Sequence, residues 1–154
     1  MQKIDLRKIS YSITYYSPCI DVYVDFGNRK VVKSTLSKDE IRQTESLLLK
    51  SFKAYNRRVE KDFPVAEELF SSLGKMEDFQ IDPKDYYRQY VPVVDEQGNK
   101  FVHVQAITKQ LAKSSPEWKT ELLQIYDGGS CVFRCLINLS KNRAGKGSTF
   151  GYFF

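Results

Sequence analysis

The chain has 154 residues, 42 % of them apolar, and carries a net charge of +5. That length and composition point to one globular domain, residues 1–154, large enough to bury a core. They exclude a membrane span, because no apolar run is long enough, and a disulfide framework, because Cys19, Cys131 and Cys135 are too few and ill spaced.

The first sixteen residues, MQKIDLRKISYSITYY, hold charges but no apolar signal segment. A cytoplasmic location is therefore expected, with a secreted mature form as the alternative. Residues 10–16 and 20–26 read as strands, the second with Ile20, Val22, Val24 and Phe26 on one face. Gly27-Asn28 marks a tight turn into a short strand at 30–34.

Ser37 and Glu40 form a capping box, and Leu36 and Ile41 a hydrophobic staple. Ile41, Leu48, Phe52, Tyr55 and Val59 then recur at helical spacing, which predicts a helix over 37–62. Its other face carries Arg42, Lys50, Lys53, Arg57 and Arg58. Pro64 is expected to start a second, shorter helix that Gly74 ends.

Beyond a polar linker at 75–84, residues 86–94 and 100–107 read as strands joined by the hairpin loop DEQGN. Residues 115–126 fit a helix capped by Ser115 or, in their second half, a strand. The strand is favoured because DGGS at 127–130 is a hairpin signal leading into CVFRCLINL. TFGYFF closes the chain as a last strand. The fold class expected is α+β: a curved antiparallel meander packed on one long helix.

The stretch SKNRAGKGSTF at 140–150 invites a phosphate-loop reading. The motif fails on spacing, since Ser140 stands where its first glycine belongs and Gly147 separates Lys146 from Ser148. A hairpin loop is expected instead, and its basic residues make an anion or nucleic-acid site a candidate: Arg134, Lys141, Arg143 and Lys146. No acidic residue follows Asp127. Tyrosines among basic residues, such as Tyr11 and Tyr87, raise the same reading.

Cys131 and Cys135 lie four apart on a strand, about 13 Å, too far for a shared metal or a disulfide. They read as buried thiols in the row Cys131, Phe133, Cys135, Ile137, Leu139. His103 is the only histidine. With Tyr87 it is the candidate for a small-ligand or enzymatic pocket between helix and sheet. The reading assigns no catalytic residue, no metal and no cofactor. Tyr152, Phe153 and Phe154 form an apolar chain end and are candidates for a partner or self-association surface.

Across WKTELLQIYDGGSCVFRCLINL, with Trp118, Asp127-Gly128-Gly129, Phe133 and the later Gly151, the chain resembles a group of small, uncharacterised bacterial proteins with cystatin-like or NTF2-like α+β folds. The resemblance covers roughly the last 40 residues and implies a role in binding and assembly, often outside the cytoplasm. The chain departs from it in having three strands expected before the helix. It also lacks the inhibitor signature Gln-x-Val-x-Gly, so a protease-inhibitor role is not implied. The function expected is a non-enzymatic binding or accessory module with an unidentified protein partner. The alternatives are a weak nucleic-acid or phosphate binder using the basic C-terminal hairpin, and a pocket between helix and sheet.

Overall fold

The structure is a computed structural model that describes residues 3–15, 26–125 and 128–149. Its order is β1 (Tyr11–Ile13), β2 (Val31–Lys33), α1 (Lys38–Leu69), β3 (Tyr86–Asp95), β4 (Lys100–Thr108), α2 (Lys109–Ser114), β5 (Val132–Asn138), β6 (Arg143–Ala144) and β7 (Ser148–Thr149). It is an α+β arrangement: one long helix packed on a seven-stranded mixed sheet.

The centre of the sheet is the antiparallel trio β3-β4-β5. Each outer member of the trio is flanked by two short strands. On one side β1 pairs with residues 88–90 of β3, and β2 pairs with residues 93–95. On the other, β6 pairs with the end of β5 and β7 with its start. The β1–β3 pairing is parallel, so the expected all-antiparallel meander is corrected to a mixed sheet. Pro92 lies between the two flanking strands. Its carbonyl accepts from the Ser34 amide, so its missing N–H points to the same outer side, where it disrupts no ladder to β4.

The start of α1 follows from local chemistry. Ser37 accepts from the Glu40 amide, and Glu40 accepts from the Ser37 amide, at 3.1 and 2.8 Å. Glu40 is also held by Lys100 Nζ at 2.8 Å. Partial burial would raise its pKa, but the Lys100 and Ser37 hydrogen bonds outweigh this and hold it below the usual range. The helix does not stop near residue 62. It runs for 32 residues with Pro64 inside it, forgoing the bond to the Glu60 carbonyl, because Phe63 and Ala66 continue its buried stripe.

That stripe, including Leu48, Phe52, Tyr55 and Val59, meets Tyr90, Val104, Phe133 and Ile137 of the sheet. Phe133 sits edge-on to both Phe52 and Tyr55. The other sheet face is covered too, by Phe26, by α2 and by the segment that follows it. α2, capped by Thr108, has no counterpart in the sequence expectation.

Residues 115–125, the described part of the segment expected at 115–126, form neither the helix nor the strand expected. Pro116–Lys119 make a 3-10 turn, and 122–125 have no regular secondary structure and pair with no strand among the described residues. Gly129–Cys131 form another 3-10 turn into β5, with no strand before it among the described residues. The hairpin expected at DGGS is therefore absent there. The DEQGN hairpin is present, with Gly98 at φ +80° and Asp95 accepting from the Gln97 and Asn99 amides. Most of the strand expected at 20–26 and the closing residues 150–154 lie outside the described residues.

Candidate functional site

Three concave surfaces follow the N-terminal edge of the sheet. The largest is an open groove of about 840 Å³. Residues 9–13 make one wall and Tyr87 lies on the floor. Lys109, Lys113, Pro116, Trp118 and Lys119 make the other wall. The three lysines are exposed. No carboxylate lines this groove among the described residues; Glu117, in the same turn, is exposed and does not line it.

A smaller cleft of about 300 Å³ continues from it past Lys8 and Lys84. Its one acid, Glu45, is neutralised by Arg88 at 2.7 Å. A third hollow, about 610 Å³, adjoins at Tyr11 and adds Lys3, Arg7, Lys38 and Arg42. Its acid, Asp5, is bound by Arg7 at 2.9 Å, which holds its pKa down at about 2. The whole edge is therefore positive, with every lining acid already paired.

The groove runs along the outer edge of β1. The Arg88 amide donates to the Ser10 carbonyl and the Thr14 amide to the Tyr90 carbonyl. Residues 10, 12 and 14 thus turn their backbone groups toward β3, and alternation turns those of Tyr11 and Ile13 away from it, on the side where no described strand pairs; both residues line the groove. The other wall is fastened to β1 by Ser12 Oγ, which donates to the Trp118 carbonyl at 2.9 Å. Tyr87 is stacked on Trp118 at 4.9 Å, and the Lys109 ammonium lies 5.8 Å from its ring centre. The floor aromatic is already engaged by both neighbours.

A row of polar side chains, Gln89 and Gln105 buried and Arg134 half-buried, crosses the same sheet face. Gln89 Nε2 donates to the Trp118 and Glu121 carbonyls, and Gln105 Nε2 to Gln89 Oε1 and the Leu123 carbonyl. Arg134 donates from Nε to Gln105 Oε1 and from Nη2 to the Ile125 carbonyl. These side chains replace the missing strand pairing of 118–125 and strap that segment over the sheet. Nothing in the local sequence signals this, because the partners lie 9 to 34 residues away.

The residues singled out from sequence are scattered. His103 and Tyr87 share the sheet face opposite α1. Tyr87 lines both the groove and the smaller cleft, which Glu45 and Leu49 of α1 also line, whereas His103 lines neither. His103 is buried, and burial together with the Arg134 charge pulls its pKa down to about 3. Its Nε2 has no hydrogen-bond partner among the described residues. Arg134 is half-buried in the polar row, away from the exposed Lys141, Arg143 and Lys146. Cys135 is buried and its thiol pKa is pushed up, whereas Cys131 is exposed. Tyr152, Phe153 and Phe154 lie outside the described residues.

Residues 140–149 form the turn and short strands β6 and β7, not a strand-to-helix phosphate loop. Asn142 takes φ +50° at the turn. Gly147 is required by close approach: a Cβ there would lie 1.9 Å from Phe133 Cζ.

Sequence reasoning missed Lys109, Lys113 and Lys119. The only signal was their recurrence in KQLAKSSPEWK, which has no meaning until β1 is placed beside it. No group of His, Cys, Asp and Glu among the described residues could hold a metal. No helix among them is long and apolar enough to cross a membrane. Compared with family models, with curated proteins and with solved structures, the chain matches none of them.

Proposed function

We propose that the protein is a non-enzymatic binding module whose working surface is the basic groove beside β1, and that its partner is an acidic, extended segment of another protein. One observation carries the reading: Tyr11 and Ile13, whose backbone groups point away from β3, line a groove walled by Lys109, Lys113 and Lys119 and lined by no carboxylate among the described residues. Backbone pairing at a strand edge supplies affinity for an extended chain, and the lysines select for acidic side chains.

Single-stranded nucleic acid meets the same charge but needs aromatic faces on which bases stack. Tyr87 is covered by Trp118 and Lys109, which favours the peptide. The cystatin-like or NTF2-like expectation remains part of the proposal, supported by the long helix across an antiparallel trio.

The test is fluorescence anisotropy with a labelled Glu/Asp-rich peptide and, separately, a labelled single-stranded oligonucleotide. The peptide is expected to bind in a salt-sensitive manner and to lose about tenfold or more in affinity when Lys109, Lys113 and Lys119 are changed together to Ala. Binding of the oligonucleotide alone would replace the partner class. Binding of neither would remove the reading.

A further inference from the structure

The opposite edge of the sheet carries a second positive concavity, and it involves the loop that sequence spacing excludes from the phosphate-loop class. α1 and residues 142–147 enclose a cleft of about 380 Å³. Lys50, Ala54 and Arg58 recur every four residues, so they share one stripe of the helix. Ala54 is exposed and short, which opens the space between the two long cationic side chains. Lys146 approaches from the loop, between Gly145 and Gly147. No acidic side chain lines the cleft among the described residues, and none of these three cations appears in an ion pair there.

The cleft is fixed on both sides. Gly145 donates its amide to the Leu136 carbonyl at 2.8 Å. Gly147 is pressed against Phe133 and Ser51 so closely that no side chain fits. Arg58 Nη2 donates to the Gly147 carbonyl at 2.5 Å, and its guanidinium lies 5.6 Å from the Tyr55 ring centre. One donor of a planar, permanently charged fork is thus used to hold the loop, and its orientation is set before any ligand arrives. Small residues, a pinned arginine and two lysines with no competing carboxylate suit a compact, multiply charged oxyanion. The cleft is too small for a nucleotide chain, and none of its lining residues is aromatic.

We propose that this cleft binds a phosphate-class oxyanion through Lys50, Arg58 and Lys146. The site is separate from the groove beside β1: four strand spacings lie between the two edges, roughly 19 Å. It does not depend on the groove reading. The same group can arrive as a free anion or as a phosphate ester on a peptide, and the test has an arm for each.

Amide ¹H–¹⁵N spectra of the full chain are followed during titration with inorganic pyrophosphate and, separately, with a phosphoserine peptide. Shifts at Gly145, Lys146 and Gly147 are expected with pyrophosphate. They should need about tenfold more ligand in the Lys50→Ala/Lys146→Ala variant, whose changes are at exposed positions and leave the fold intact. The variant with Lys109, Lys113 and Lys119 changed to Ala should titrate like the wild type. A tighter response to the phosphopeptide assigns the site to a modified protein, and a weaker one to a free anion. Equal titration of the wild type and the Lys50/Lys146 variant, or shifts confined to the β1 groove, would overturn the proposal.

Discussion

His103 is neutral in the folded protein at ordinary pH, because burial and the Arg134 charge hold its pKa near 3. In the unfolded chain its pKa is about 6.5. The unfolded state therefore takes up the proton first as the pH falls. The stability this site confers is full above about pH 6.5 and is lost progressively between there and pH 3, at up to about 1.4 kcal/mol per pH unit. Urea denaturation between pH 7.5 and 4.5 should show this slope, and His103→Gln should reduce it. A slope unchanged in the variant would place the acid sensitivity elsewhere.

Glu45 and Arg88 are the other residues whose burial sets their behaviour. Their ion pair is almost fully enclosed between α1 and β3. Tyr90 donates to the same carboxylate at 2.8 Å, and Arg88 also donates to the Pro83 and Tyr86 carbonyls. Removing one partner strands the other, so Glu45→Ala should cost about 3–5 kcal/mol. The double change Glu45→Leu/Arg88→Met should cost much less, because no charge is left buried. Chemical denaturation of the two variants checks this, and equal losses would count against a stranded charge as the cause.

The elements differ in how much of them could be read from sequence. The start of α1 was legible because its determinants, Leu36, Ser37, Glu40 and Ile41, are local. Its continuation through Pro64 was not, since the burial of Phe63 and Ala66 against distant residues outweighs one lost hydrogen bond. The hairpin at Asp95–Asn99 was legible for the same local reason, with Gly98 supplying the positive φ.

The strap at 118–125 was illegible because Gln89, Gln105 and Arg134 hold it from other strands. Those glutamines read as ordinary strand residues, yet both are fully buried. Gln105→Leu removes the hydrogen bonds that Gln105 makes with the Leu123 carbonyl, with Gln89 Oε1 and with Arg134 Nε, a loss of about 1–3 kcal/mol. Hydrogen exchange should then accelerate first at residues 119–125. Acceleration spread evenly over the sheet would show that the strap is not a separate unit.

At the scale of the whole molecule, a sheet with positively charged concavities at both edges accounts for the net charge of +5 better than the C-terminal loop does alone. The tyrosine and lysine content was visible in the sequence, but the groove was not. Its walls come from residues 9–13 and 109–119, and only the parallel β1–β3 pairing brings them together.

The most direct measurement is amide hydrogen exchange at Tyr11 and Ile13 with and without a saturating Glu/Asp-rich peptide. Strand addition predicts that these two outward amides slow by about tenfold or more, while those of Ser12 and Thr14, already turned toward β3, change little. Unchanged exchange at Tyr11 and Ile13 under saturating peptide would contradict the groove as the binding surface.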